Sequence, residues 1–336
     1  MKGPASGELL TSLLRDVSRS FYLTLRALPG RIRFQIGLAY LLARTTDTIA
    51  DTELVPVEQR LVALETLRER IQGKGGAPLD FGELARHQGS PAERWLLEKA
   101  EASIGLLAGL VPADRQLVGA VLETITGGQE LDLRRFAGAS AARIVALPQD
   151  ADLDDYTYRV AGCVGEFWTR ICRAHLFPNA RLDDAALLRD GVRFGKGLQL
   201  VNILRDLPAD LRQGRCYVPA EELAAGGLAP ADLLAPANEP RFRPQFNPWL
   251  DRADAHLAAG WAYTNALPRG CVRVRLACAW PLLIGRETIK LLRTGNVLDP
   301  RQRIKVSRAQ VSRIMRRSLL CYPFPGLWNG MFRAAA

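Results

Sequence analysis

The stretch Tyr40–Asp51, which reads YLLARTTDTIAD, places a phenol, a guanidinium and two carboxylates in a run of Leu, Ala, Ile and Thr residues. They fall at positions 0, 4, 7 and 11, the spacing of one stripe along an α-helix: Tyr40, Arg44, Asp47 and Asp51. A stripe at this spacing normally carries apolar side chains that face a core. A polar stripe flanked by Leu and Ile therefore predicts a helix that lines a cavity. The alternative is an amphipathic surface helix on which Arg44 pairs with Asp47 or Asp51.

A second stretch, which reads QLVNILRDLPAD, repeats this pattern with Arg205 beside its polar stripe: Gln199, Asn202, Asp206 and Asp210. Two carboxylates about 5 Å apart repel by roughly 3 kcal/mol at an effective dielectric constant of about 20. Burial of such pairs requires cations, and carboxylate and amide oxygens suit Mg²⁺. Two matching stripes therefore predict a cavity that gathers divalent metal around a polyanionic substrate. Pro208 predicts that the second helix kinks or ends between its two aspartates.

Helical spacing of Leu, Ala, Val and Arg extends over most of the 336 residues, and few alternating, strand-like runs occur. This pattern predicts an all-α protein with one domain at 1–320 and an aromatic tail at 321–336. A first helix is expected from about Gly7, with a break at Pro29-Gly30. Further helices are expected at 31–52, 56–71, 91–109, 113–136, 150–176, 182–207, 249–266, 271–294 and 305–320. The segment 225–248, rich in Pro, Ala and Asn, predicts a loop with one short helical turn.

The net charge of +10 suits anionic partners, although a generally Arg-rich proteome would explain it equally well. Nucleic acid is not predicted as a partner, because the chain has no recognisable motif and no interleaving of basic and aromatic residues. Six cysteines without a CxxC pair and three distant histidines predict reduced thiols and no zinc site. The expected location is the cytoplasm.

The C-terminal tail suggests contact with a membrane surface. The segment Ser318–Phe332 carries no charge and is rich in aromatic residues, a mixture suited to a bilayer interface. From Pro300 onward the chain has eight Lys or Arg residues and no acidic residue. Peripheral membrane contact is therefore predicted, and docking of the tail on the protein's own core is the alternative. No apolar run is long enough to predict a transmembrane helix.

Taken in order, these segments resemble the squalene and phytoene synthase family of head-to-head prenyl transferases. Four segments match the family's pattern over roughly residues 10–300: Ser18-Arg19-Ser20-Phe21, Tyr40–Asp51, Tyr156–Gly165 and Gln199–Asp210. Gly214-Arg215-Cys216-Tyr217-Val218-Pro219 looks like the family's continuation of the last segment. The resemblance implies a class I isoprenoid synthase bundle in which the two aspartate stripes face each other across a central cavity.

The resemblance also implies two prenyl diphosphate substrates and Mg²⁺, and it assigns roles to individual residues. Mg²⁺ ligands would be Asp47, Asp51, Asn202, Asp206 and Asp210. Substrate and diphosphate would contact Ser18, Arg19, Ser20, Phe21, Arg44, Gln199, Asn202 and Arg205. The catalytic set would be Tyr40, Arg44, Tyr156 and Arg205, with Tyr156 as a base or a cation-stabilising phenol.

The segment Gln302–Arg308 resembles a basic stretch that contacts NADPH in squalene synthases, although Ser307 replaces one basic residue of that stretch. By this resemblance, NADPH would contact Arg44, Arg205, Lys305 and Arg308. The predicted reaction is Mg²⁺-dependent condensation of two farnesyl diphosphates, through presqualene diphosphate, to squalene. Phytoene, dehydrosqualene, presqualene diphosphate and hydroxysqualene are alternative products. A terpene cyclase, a head-to-tail elongase and a non-catalytic assembly factor of the same fold are alternative functions.

Overall fold

The computed structural model describes Ser12, Leu14, Asp16 and residues 21–335, except for the side chains of residues 21–23. In this part of the chain, helices account for nearly all regular structure, so the prediction of an all-α protein is confirmed. The only sheet among the described residues is a parallel pair of two-residue strands. The described chain forms two compact units: one comprises residues up to 134 and 167–179, and the other comprises 135–166 and 180 onward.

The first unit holds the first aspartate pair at the end of α2, where Asp47 lies in the last turn and Asp51 is the C-cap. The chain breaks before α2 at Pro29, as predicted, because the proline precedes the helix with an extended ψ of 146°. The helices that lie mainly in this unit are α1 (Phe21–Ala27), α2 (Gly30–Ala50), α3 (Val57–Ile71), α4 (Gly82–Arg86), α5 (Pro91–Glu98), α6 (Ala100–Gly105) and α7 (Pro112–Arg135). A 3₁₀ turn, Leu106–Gly109, precedes α7.

The second unit holds Tyr156 and the second aspartate pair. Its helices are α8 (Asp150–Thr157), the start of α9 (Cys163–Leu176), α10 (Asp184–Arg212), α11 (Ala220–Ala225), α12 (Glu239–Ala266), α13 (Val272–Thr294), α14 (Arg308–Cys321) and α15 (Pro325–Ala334). A π-helical turn, Tyr158–Gly162, joins α8 to α9, and 3₁₀ turns lie at Pro230–Leu234 and Pro236–Asn238. Strand β1 (Val145–Ala146) pairs with β2 (Arg215–Cys216). Helices α14 and α15, on either side of the domain boundary predicted at residue 320, both belong to this unit.

The segment from α8 to α9 lies against α10 at very short range because the contacting residues are small. A Cβ atom on Gly165 would overlap the backbone carbonyl of Gly191, and one on Gly195 would overlap that of Ala161. Any larger side chain at either glycine would force the two segments apart. The glycines of the Tyr156–Gly165 segment therefore serve close helix packing.

Helix α10 continues through Pro208 to Arg212, so a helix end before Asp210 is ruled out. A proline inside a helix costs about 3 kcal/mol, because it removes one hydrogen bond and crowds the preceding turn. The flanking Leu207 and Leu211 are each only 1% exposed, and their burial offsets that cost. Asp206 and Asp210 consequently lie on one continuous helix, one turn apart.

Helix α12 begins at Glu239, ten residues before the predicted start at 249, and the prediction of a loop over 225–248 is wrong for that part. The helix contains Pro240, Pro244 and Pro248, which are spaced four residues apart and are all exposed. Their missing N–H groups therefore leave the affected carbonyls on the solvent side, where water can bind them. The opposite face buries Phe242 and Phe246 completely, and this packing holds the helix together.

The predicted helix at 91–109 is interrupted twice. It consists of α5, α6 and the 3₁₀ turn that precedes α7. In the described part of the chain no helix combines the length and apolar character needed to span a membrane. The six cysteines, all within the described residues, form no disulfide.

Candidate active site

We call each polar stripe, together with its arginine, a half-site. The first half-site is the polar stripe of α2. Tyr40, Arg44 and Asp47 are partly buried and Asp51 is exposed, whereas most residues between them are buried. Arg44 Nη1 lies 3.8 Å from Asp47 Oδ2, and Arg44 Nη2 donates a hydrogen bond of 2.5 Å to Glu93 Oε1. The sequence-based alternative of an Arg44–Asp47 pair is thus present as a long contact, while the shorter partner of Arg44 is Glu93.

Helix α7 contributes a contact that the sequence analysis missed. Gln129 Nε2 donates a hydrogen bond to Asp47 Oδ1. Gln129 is 7% exposed, and its neighbours Glu130 and Asp132 are also buried. Glu130 pairs with Arg68 Nη1 at 3.0 Å. Three polar residues within four positions of an apolar helix were the available signal, since such side chains are rarely buried without partners.

The two aspartates of α2 influence each other electrostatically. Burial among neighbouring protein atoms and the adjacent Asp51 carboxylate raise the pKa of Asp47 to about 6, while Arg44 and the Gln129 hydrogen bond act in the opposite direction. The Asp47 side chain nevertheless keeps 47% of its surface accessible, so a ligand can reach it. A carboxyl group that is both accessible and reluctant to ionise is one that a cation would stabilise in its charged form.

We expect the Asp47 carboxyl of the metal-free protein to titrate near pH 6, well above its ordinary value of 3.8. Because Asp51 contributes to this increase, Asp51→Asn should lower the pKa of Asp47. A ¹³C NMR titration of aspartate-labelled protein measures the midpoint, and Asp47→Asn identifies the resonance. A midpoint that does not fall in Asp51→Asn would contradict the coupling.

The raised pKa of Asp47 also makes the free energy of unfolding depend on pH. Between the unfolded value of 3.8 and the folded value of about 6, the native state binds more protons at Asp47 than the unfolded chain does. The contribution of this group to the metal-free fold is therefore present at low pH and is lost as pH rises through that window. The pH dependence of the melting temperature should accordingly be flatter in Asp51→Asn.

The second half-site is the polar stripe of α10. Arg205 donates two hydrogen bonds to Asp206, with Nε at 2.8 Å from Oδ1 and Nη2 at 2.6 Å from Oδ2. Asp206 and Asp210 together raise the pKa of the Arg205 guanidinium, which shows that all three groups lie within electrostatic range. Gln199 and Asn202 are partly buried on the same helix. The four predicted residues and Arg205 thus share one stretch of α10.

The chain beyond α10 connects this half-site to Tyr156. Gly214 turns the backbone with a φ of 84°, and β2 then pairs with β1. Tyr217 follows β2 and stacks on Tyr156 with ring centroids 5.0 Å apart and an interplanar angle of 23°. Phe136 packs edge-on against Tyr217 at 5.2 Å. This aromatic stack holds the ring of Tyr156, and sequence reasoning assigned no role to Tyr217 or Phe136.

The side chains of the remaining predicted site residues lie outside the described part of the chain or around the start of α14. Ser18, Arg19 and Ser20 lie outside the described residues, and only the backbone of Phe21 is described. Lys305 and Arg308 are exposed, just before and at the start of α14. Ser307, which departs from the basic pattern, caps α14 by accepting a hydrogen bond of 3.2 Å from the N–H of Gln310. This helix cap is a local structural reason for a serine at position 307.

The donor chemistry of both half-sites fits Mg²⁺. Each offers a pair of hard carboxylate ligands one helical turn apart, with a guanidinium beside them. Among the described residues no group of three or more His, Cys, Asp and Glu side chains is arranged to hold a metal. Mg²⁺ is commonly bound through one or two carboxylates together with phosphate oxygens and water, and each aspartate pair suits that mode.

Comparison with known proteins identifies the family. The squalene/phytoene synthase family model matches residues 14–310, and the chain belongs to this family of prenyltransferases. It is 30% identical over 293 residues to a presqualene diphosphate synthase of Rhodopseudomonas palustris, covering 86% of this chain and 89% of the relative. A presqualene diphosphate synthase of Sinorhizobium fredii is 29% identical, with coverage of 90% and 93%.

Solved structures agree on the fold. A squalene synthase from Alicyclobacillus acidocaldarius superposes with a TM-score of 0.62 at 21% identity, covering 87% of this chain and 94% of that chain. A dehydrosqualene synthase superposes with a TM-score of 0.64 at 20% identity, covering 94% and 96%. These similarities confirm the predicted class I isoprenoid synthase fold.

Proposed function

We propose that the chain catalyses the Mg²⁺-dependent head-to-head condensation of two farnesyl diphosphates to presqualene diphosphate. C1 of one substrate loses diphosphate, and the resulting allylic cation alkylates the C2–C3 double bond of the second substrate. Loss of one proton then closes a cyclopropane ring and leaves the second diphosphate in place. The similarity to presqualene diphosphate synthases over about nine-tenths of each chain supports this first product.

One observation supports the proposal most strongly: the two half-sites are built alike. Asp47 and Asp206 are 47% and 48% exposed, and their neighbours Arg44 and Arg205 are 29% and 31% exposed. Each helix therefore presents an accessible carboxylate beside a partly buried guanidinium. Carboxylates of this kind hold cations, and guanidinium groups bind phosphate oxygens with two hydrogen bonds. A diphosphate substrate would therefore interact with the guanidinium directly and with the carboxylate through a bound cation.

In this proposal Asp47, Asp51, Asp206 and Asp210 hold Mg²⁺, with Asn202 as a neutral ligand. Bound Mg²⁺ would neutralise charge that develops on the departing diphosphate. With Asp206 holding Mg²⁺, the Arg205 guanidinium would contact diphosphate oxygens in place of the Asp206 carboxylate. Tyr156, held by its stack with Tyr217, lies on the same unit as α10 and is the proposed base or cation-stabilising phenol.

The sequence analysis predicted squalene as the final product, and reduction of presqualene diphosphate to squalene with NADPH is the second candidate. The observation in its favour is the exposed basic segment around Lys305 and Arg308, whose charges are accessible to a dinucleotide phosphate. A second ionisation and a rearrangement would then give a final cation, which hydride from NADPH would quench. Dehydrosqualene and hydroxysqualene differ from squalene in how that last cation is quenched, and phytoene differs also in the C20 length of its two substrates.

Incubation with farnesyl diphosphate and Mg²⁺, with and without NADPH, tests both candidates. We expect presqualene diphosphate and one inorganic diphosphate per turnover in the absence of NADPH. Squalene formed only when NADPH is present would establish the second step. A parallel incubation with geranylgeranyl diphosphate measures chain-length preference. Cyclic products from single substrates, or no turnover with either substrate, would overturn the proposal in favour of a cyclase or an assembly factor.

The proposed substrates and products carry long apolar chains, which partition into lipid. A cytoplasmic chain that works at the membrane surface, as the sequence analysis predicted, suits such chemistry, because its product can pass directly into the bilayer.

A further inference from the structure

Exposed apolar side chains are concentrated near the C-terminus of the described chain. Leu319 and Leu320 are 54% and 74% exposed at the end of α14, and Phe324 and Leu327 are 58% and 59% exposed at the start of α15. We name these four residues the tail patch. Four large apolar residues within nine positions, all more than half exposed, are unusual for a surface that faces only water.

Two aromatic residues of the same segment, Trp328 and Phe332, do not belong to the tail patch. Trp328 and Phe332 are 3% and 8% exposed and stack on Trp261 at 4.9 and 5.0 Å. The Arg275 guanidinium lies 5.8 Å from the ring centroid of Trp328, and that of Arg286 lies 4.1 Å from the ring centroid of Phe332. The alternative of docking on the protein's own core is therefore correct for these two side chains.

This internal packing fixes the tail patch in place. Trp328 Nε1 donates a hydrogen bond of 2.8 Å to Asn265 Oδ1. Arg269 Nη2 donates one of 2.7 Å to the carbonyl of Pro323, in the turn between α14 and α15. The turn between Leu320 and Phe324 is thus tied to the loop between α12 and α13. The tail patch is held by the folded protein and is not a flexible anchor.

Positive charge surrounds the tail patch. Arg313, Arg316 and Leu320 are spaced 0, 3 and 7 residues apart and therefore share one face of α14, on which all three are exposed. Arg317 is exposed beside them, the loop between α12 and α13 adds the exposed Arg269, and the first turn of α13 adds the exposed Arg273. No Asp or Glu occurs from Pro300 onward. A surface of exposed apolar side chains with exposed arginines beside it is complementary to an anionic lipid headgroup layer.

We propose that the tail patch and its arginines form a docking surface for an anionic lipid bilayer. The four apolar side chains enter the headgroup boundary, and the arginines contact lipid phosphates. Binding at this surface does not require turnover, so its failure would leave the proposed reaction intact, and failure of the reaction would leave the docking surface intact.

Vesicle co-sedimentation of the full chain tests this surface. We expect binding to phosphatidylcholine vesicles that contain phosphatidylglycerol, and binding at least about tenfold weaker to phosphatidylcholine alone. Two double variants should each lower the partition coefficient on anionic vesicles at least about tenfold: Leu320→Ser with Phe324→Ser, and Arg316→Gln with Arg317→Gln.

Matched controls alter the same residue types on the first unit. Leu54→Ser removes an apolar side chain that is 77% exposed, and Arg94→Gln with Lys99→Gln removes two exposed charges. These variants should bind vesicles as the wild type does, and circular dichroism confirms that every variant is folded. Equal loss in controls and tail variants would overturn the proposal, as would wild-type protein that does not bind anionic vesicles.

A second copy of the chain is the competing occupant, and sedimentation velocity without lipid identifies it. We expect the sedimentation coefficient of the wild type to be independent of concentration in the range used for vesicle binding. Concentration-dependent association that is lost in Leu320→Ser with Phe324→Ser, in place of vesicle binding, would overturn the proposal and assign the tail patch to a protein interface.

Discussion

Replacement of Asp206 by Asn is expected to lower turnover of farnesyl diphosphate about a thousandfold or more, and Asp47→Asn should do the same. A thousandfold loss corresponds to about 4 kcal/mol of transition-state stabilisation, which is the scale of removing one well-placed electrostatic group from a site where charge develops. Asparagine keeps the shape of aspartate but not the charge that would hold a cation. Steady-state release of diphosphate measures the effect.

The fold should survive both substitutions. Asp206 and Asp47 are about half exposed, and exposed ion pairs contribute only about 0–1 kcal/mol to stability. Asp251→Asn is a matched control, because Asp251 is 68% exposed, pairs with Arg293 and lies outside both polar stripes. Its turnover should equal that of the wild type. Near-normal turnover in either stripe variant would show that the carboxylate does not serve the reaction.

The second large effect concerns the metal itself. We expect EDTA to abolish turnover and added Mg²⁺ to restore it, because an aspartate pair together with a substrate diphosphate carries more negative charge than the arginine beside that pair can balance. In the absence of the cation, only the arginines would balance the charge that develops on the departing diphosphate. Diphosphate release, titrated against Mg²⁺ after chelation and dialysis, measures the dependence.

A matched comparison makes the metal experiment specific to the aspartates. Asp51→Asn should shift the Mg²⁺ concentration for half-maximal turnover upward, while Asp251→Asn should leave it unchanged. Turnover that persists in excess EDTA, or restoration that is equally efficient in both variants, would contradict metal binding by the first stripe.

The features that could be predicted from sequence are those set by local periodicity. The two polar stripes follow from their spacing alone, and α2 and α10 carry them as predicted. The contacts that sequence reasoning missed are long-range. Gln129 meets Asp47 across 82 residues, and Glu93 meets Arg44 across 49. Spacing along a helix contains no information about which distant side chain will approach it, so these partners required the structure.

The errors at prolines have a related cause. Proline removes a local hydrogen bond, and sequence reasoning therefore shortened both α10 and α12. Packing decided otherwise, because Leu207 and Leu211 in one helix and Phe242 and Phe246 in the other are buried. In both helices the burial of apolar side chains outweighs the low helix propensity of proline. Tyr217 was missed for another reason, since its stack on Tyr156 depends on a two-residue strand pairing too short to leave a pattern.

The close approach at Gly165 and Gly191 has a consequence for how the reaction could be altered. Main-chain atoms, which have no alternative rotamers, set the separation between the helix segment that carries Tyr156 and the helix that carries Asp206. Thermal motion of side chains cannot change this spacing, and mutation can only widen it. Attempts to redirect the proposed reaction are therefore best made at side chains away from this contact, because the main chain fixes the Tyr156 segment relative to the second aspartate stripe.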